Sequence, residues 1–88
     1  MPSLSLLFFS SPSCAPCKVF EPIAEKVARK LHLEYEKVRV DTHQAMTNEY
    51  RVQSVPTIIV VDDVGTRYEY TGPHTESALK SFVLNVGG

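Results

Sequence analysis

At 88 residues, with 43% hydrophobic and 22% charged side chains, the chain has the length and composition of one small globular domain, residues 1–88, with a single core. A formal net charge of −1 leaves no electrostatic footprint for a nucleic acid or an anionic membrane, so neither is expected as a partner. No apolar run approaches the ~18 residues of a membrane span, and Met1–Phe9 lacks the basic segment and the apolar length of a secretory leader, so a cytoplasmic protein is expected.

In chain order, Leu4–Phe9 is a short apolar run that exits through Ser10-Ser11-Pro12-Ser13, the pattern of a buried central strand. From Ala15 to Leu31 the period becomes helical: Val19, Phe20, Ile23, Ala24, Val27, Ala28 and Leu31 fall on one face, with Lys18, Glu25, Lys26, Arg29 and Lys30 away from it. Pro16 suits a first turn, whereas Pro22 removes the hydrogen bond to the Lys18 carbonyl and predicts a kink. His32 is expected to complement the helix dipole at the C-terminal end. Glu34–Val40 alternates as a second strand, with Val38 and Val40 on one face and Lys37 and Arg39 on the other. Strand, helix and strand make a right-handed crossover unit with parallel strands.

Thr42 is expected to cap a short helix from His43 to about Tyr50 that buries Ala45, Met46 and Tyr50. Ile58–Val61 reads as a strand buried on both faces, entered through Val55-Pro56-Thr57; a proline can start a strand but not occupy its middle. Asp62-Asp63-Val64-Gly65 predicts a hairpin into a half-buried strand, Thr66–Thr71. After Gly72-Pro73-His74, Thr75 can cap a last helix with Ala78, Leu79, Phe82, Val83 and Val86 on its apolar face. The order β-α-β-α-β-β-α predicts an α/β fold, a four-stranded mixed sheet covered by helices.

Chemistry concentrates at Cys14-Ala15-Pro16-Cys17, which holds both cysteines of the chain at the junction of the first strand and helix. Thiols two residues apart can close a disulfide. At a helix start, unpaired N–H groups and the positive dipole end favour the thiolate, which is the nucleophile. In a reducing compartment such a pair is expected to do chemistry rather than staple the fold. His43 and His74 are expected to face solvent, the three histidines are scattered, and a tetrahedral zinc site within one chain would need four ligands where two are in hand, so no metal is expected. Ser10, Ser11 and Ser13 are read as turn residues.

These residues resemble the thioredoxin family over nearly the whole chain. Cys14-Ala15-Pro16-Cys17-Lys18 is similar to the family's Cys-Gly-Pro-Cys-Lys motif, Pro22 to its helix-kinking proline, and Val55-Pro56-Thr57 to the segment whose cis-proline faces the cysteines. Lys37 matches a lysine beneath the active site, and Gly65 and Gly72 match two late glycines. The resemblance implies a thioredoxin fold with helices on both faces of the sheet and a protein-disulfide reductase that uses no cofactor beyond a Cys14–Cys17 redox disulfide. Cys14 would be the exposed attacking thiol and Cys17 the buried resolving one. Val55, Pro56, Ala15, Pro16 and Gly72 would meet substrate, and Lys37 would tune or transfer protons. Disulfide-containing proteins are the implied substrates, a thioredoxin reductase or similar dithiol donor the implied reductant, and a monomer the expected state.

Two departures stand out. Ser13 occupies the place of a tryptophan, and Phe8 that of a buried aspartate which helps move the proton of the second cysteine. With an N-terminal strand and helix also missing, the size resembles a glutaredoxin, which makes a glutathione-dependent oxidoreductase the nearest alternative. Against it stand the lack of a Cys-Pro-Tyr-Cys motif and of paired glycines with an acidic residue around Gly72-Pro73-His74-Thr75. The remaining alternative is a non-enzymatic module, either a metal or iron–sulfur centre held by the cysteines of two chains or an assembly factor, which leaves Pro16 and Pro56 without a purpose.

Overall fold

The computed structural model describes residues 3–87. Its elements are β1 (Ser5–Ser10), α1 (Ala15–Lys30), β2 (Glu34–Arg39), α2 (Gln44–Glu49), β3 (Thr57–Val61), β4 (Arg67–Tyr70) and α3 (Glu76–Gly87). They build one sheet in the order β2-β1-β3-β4, in which β1 runs parallel to β2 and antiparallel to β3, and β3 runs antiparallel to β4. The parallel β1–β2 pair requires a crossover, and α1 supplies it.

β1 lies between two partners and is covered on both faces, which is why its sequence is a continuous apolar run rather than an alternation. Leu6 and Phe8 face one layer with Phe20, Ala24, Val27 and Ala28 of α1 and Leu79 and Val83 of α3. Leu7 and Phe9 face the other, with Val38, Ile59 and the partly buried Met46 and Tyr50. On the edge strand β4 only Tyr68 and Tyr70 are half-buried, between exposed Arg67 and Glu69. The hairpin before it turns at Gly65, whose φ of 87° lies in the region glycine adopts without cost, and the Asp62 carboxylate accepts the amides of Val64 and Thr66.

Several expectations need correction. Val19 is 67% exposed, because the inward stripe of α1 runs through Cys17, Phe20, Ala24, Val27 and Ala28 and leaves Val19 off it. Thr42 does not cap α2: His43 takes the N-cap position without a side-chain cap bond, and the Thr42 hydroxyl pairs with His43 Nδ1 instead. Ala45 is exposed, since six residues give α2 little face to turn inward. His32 lies one residue past the C-cap Leu31 with φ 60°, and Arg51 repeats this after α2 with φ 56°. In both places the next amide reaches back past the turn, Leu33 to the Ala28 carbonyl and Val52 to the Thr47 carbonyl, closing the helix end with a residue other than glycine. Pro22 lies inside a continuous α1.

Candidate active site

β1 delivers the chain to Ser10, a tight turn reverses it, and α1 begins. Within that turn the Cys14 amide donates to the Ser11 carbonyl, at 3.1 Å. Cys14 is the N-cap residue of α1, extended at φ −92° and ψ 103°, and its Sγ accepts the backbone N–H of Cys17 at 3.1 Å. A sulfur therefore does what a serine or aspartate oxygen does at other helix starts. Ala15 and Pro16 fill the first two helical positions, both exposed, and the proline occupies a site where no intrahelical N–H is required.

Cys14 and Cys17 are joined by a disulfide with their Cα atoms 5.3 Å apart. Their exposures are 9% and 3%, so Cys14 is the more accessible residue but is less open than its expected role suggests. Both sulfurs belong to the core layer beneath α1, and Val55 packs against that layer. Ser11 and Ser13 hydrogen-bond to each other across the turn, as turn residues do.

The remaining site residues divide between two clefts. One, of about 150 Å³, is lined by Ser10, Cys17, Lys18, Glu21, Lys37 and Arg39 among others. There Lys37 Nζ of β2 meets the Glu21 carboxylate of α1 at 3.1 Å. Phe8, register partner of Lys37, is fully buried and meets Phe20 edge-on, with ring centroids 6.0 Å apart. The second cleft, of about 240 Å³, brings Pro56 and Gly72 together with Phe20, Tyr70 and His74. The Val55–Pro56 peptide bond there is cis. Gly72 leaves room for the Tyr70 ring: a Cβ at that position would lie 2.6–2.9 Å from three of its outer atoms.

Sequence reasoning passed over two neighbours of this site. Glu21 stands one helical turn beyond Cys17, a spacing that marks it as a neighbour on the same stripe. His74 was expected in solvent. It is exposed, yet its ring stacks on Phe20 with centroids 4.4 Å apart and planes 14° from parallel, a contact between distant segments that no local spacing reports. Among the described residues no group of three or more His, Cys, Asp or Glu side chains is placed to hold a metal ion. No described helix is long and apolar enough to cross a membrane.

The thioredoxin family pattern matches residues 2–85. The chain belongs to the thioredoxin family. It is 32% identical over 82 residues to the mitochondrial thioredoxin of Bos taurus, covering 91% of this chain and 49% of that one. It is 31% identical over 77 residues to the thioredoxin of Bacillus subtilis (strain 168), covering 85% and 74% respectively. Among solved structures, a mutant thioredoxin from Halobacterium salinarum NRC-1 superposes with a TM-score of 0.86 at 31% identity, covering 94% of this chain and 74% of that one. The chain thus spans about half the length of the mitochondrial thioredoxins it matches. Around the cysteines the chain carries the apolar Phe8 in the same core layer, Ser13 directly before them, and the Glu21–Lys37 pair in the cleft that Cys17 also lines.

Proposed function

We propose that the chain is a protein-disulfide reductase working by dithiol–disulfide exchange through Cys14 and Cys17. The observation that carries this is the Cys17 N–H directed at the Cys14 sulfur at the start of a 16-residue helix. A hydrogen-bond donor and a helix dipole both stabilise negative charge on that atom, and the thiolate is the attacking species. Cys14 attacks a substrate disulfide and forms a mixed disulfide with one substrate sulfur, releasing the other as a thiolate. Cys17 then attacks the Cys14 sulfur, frees the second substrate sulfur, and leaves the Cys14–Cys17 disulfide. The two protein thiols lose two electrons and the substrate disulfide gains them.

Exposed Ala15 and Pro16, half-buried Val55 and Pro56, and Gly72 supply the surface on which an extended substrate segment lies beside Cys14 in this reading. A thioredoxin reductase or similar dithiol donor then reduces the disulfide again. The protein acts as a monomer in the cytoplasm, as a single domain, with no cofactor beyond its own disulfide and no nucleic-acid or membrane partner.

The test is reduction of insulin disulfides with dithiothreitol as the electron source. Wild type accelerates it, Cys14→Ser abolishes the acceleration, and Cys17→Ser accumulates a mixed disulfide on non-reducing gels. Normal turnover by Cys17→Ser would refute the dithiol mechanism. Replacing dithiothreitol by glutathione or by a thioredoxin reductase with NADPH identifies the reductant, and efficient coupling to glutathione alone would favour the glutaredoxin-like alternative.

A further inference from the structure

Before Cys17 attacks, its thiol must lose a proton, and the residue is only 3% exposed, so bulk water is a poor acceptor. The 150 Å³ cleft offers another route. Among the described residues, Glu21 is its one carboxylate, and Cys17 lines the same cleft. The two residues are four apart on α1, the spacing that places side chains over one another on a helix face. Lys37 fixes the carboxylate from the opposite wall, 3.1 Å away, and the Glu21 side chain is 25% exposed, neither sealed from the cleft nor free in solvent.

We propose that Glu21 is the proton acceptor for Cys17 when the mixed disulfide resolves, with Lys37 as its positioning residue. The proposal rests on the dithiol mechanism above and assigns a base to its second step. The Cys17 S–H bond breaks and its proton passes to a Glu21 carboxylate oxygen through the cleft. The sulfur's electron pair forms the bond to Cys14 Sγ, and the bond from Cys14 to the substrate sulfur breaks. Glu21 then returns the proton to the departing substrate thiolate or to water, so charge and protons balance over the cycle. Phe8 has no titratable group, and from β1 only Ser10 borders the cleft. The other charges around Glu21 are Lys18 and Glu25 on α1 and Lys37 and Arg39 on β2, with Arg39 engaged by Asp41 at 2.6 Å; the Tyr35 phenol of β2 also feels the Glu21 charge.

The magnitude follows from ordinary thiol acidity. A thiol with a pKa near 8.5 is only a few per cent ionised at pH 7, so a base can supply about tenfold or somewhat more in rate there, and almost nothing above about pH 9. The experiment mixes reduced protein with dithiobis-nitrobenzoate in a stopped-flow instrument. The first coloured thiolate reports attack by Cys14, and the second reports resolution by Cys17. In Glu21→Gln, of the same shape, the first phase stays at the wild-type rate. The second slows about tenfold at pH 7 and converges on wild type above about pH 9.

A second phase equal to wild type at every pH would overturn the proposal. So would one slowed by the same factor at every pH, the signature of a purely structural ion pair. A wild-type protein that releases no second equivalent would instead refute the dithiol mechanism itself, so the two failures are distinguishable.

Discussion

Cys14 is held by backbone on both sides, its own amide on the Ser11 carbonyl and its sulfur under the Cys17 amide, so the sulfur position is set before any substrate arrives. That kind of preorganisation lets one donor act on a developing charge without rearrangement. Gly72, on the proposed substrate surface, illustrates the opposite case, a residue present for what it lacks. The Tyr70 ring that fills the space beside it is wedged against Phe20 and Phe82, with centroids 6.3 and 5.1 Å away, and its hydroxyl donates to the Pro73 carbonyl. The ring is rigid, so it cannot fold aside as a lysine tip would. Gly72→Ala is therefore expected to lower stability by about 1–3 kcal/mol, the usual range for overpacking. Urea denaturation checks this, and an unchanged midpoint would mean that Tyr70 has a free alternative rotamer.

Among the elements, the two helix starts predicted from threonines make a controlled pair. Thr75 Oγ1 accepts the Ala78 amide at 3.3 Å and caps α3, whereas the Thr42 hydroxyl is spent on His43 and α2 has no side-chain cap. Thr75→Ala should cost about 1 kcal/mol and Thr42→Ala less than about 0.5 kcal/mol. Equal losses in chemical denaturation would contradict this assignment of caps. The same contrast shows what the chain makes legible. β1, α1 and β3 can be read because long apolar patterns leave one way to bury them, and Cys14-Ala15-Pro16-Cys17 because its residue types are tied to a helix start. The six residues of α2 carry too few apolar positions to fix a cap or a face, which is why Ala45 and Thr42 were misplaced. The left-handed residues His32 and Arg51 carry no glycine to announce them. The Glu21–Lys37 pair and the His74–Phe20 stack join separate elements, and only the assembled sheet and helices bring them together.

Across the whole molecule, the titratable contacts set a pH window for stability. On the acid side, Glu76 at the start of α3 accepts hydrogen bonds from Lys30 and Lys26 of α1, at 2.8 and 3.2 Å, and these hold its carboxyl below the ordinary 4.5. A group whose folded pKa is depressed contributes stability above its unfolded value and loses it as pH falls, so the α1–α3 tie weakens on acidification below about pH 4.5. On the alkaline side, burial and then the charges of Glu21 and Glu25 push the Tyr35 phenol up from its ordinary 10.0. Burial is also the first cause of the upward shifts of Tyr68 and Tyr70. A raised folded pKa has the opposite sign: its stability is full below pH 10 and declines above it, because the unfolded chain releases a proton that the folded one keeps. Among the described residues the Tyr35 hydroxyl is buried with no hydrogen-bond partner, so Tyr35→Phe removes a titrating group without breaking a bond. Its stability at pH 7 is expected to equal or exceed that of wild type by up to about 1 kcal/mol, and its decline above pH 10 should be shallower. Urea midpoints collected from pH 3 to pH 11.5 for both proteins test this. A variant as steep as wild type above pH 10 would assign the alkaline limb to Tyr68 and Tyr70, and a loss at pH 7 would mean that the hydroxyl has a partner in solution.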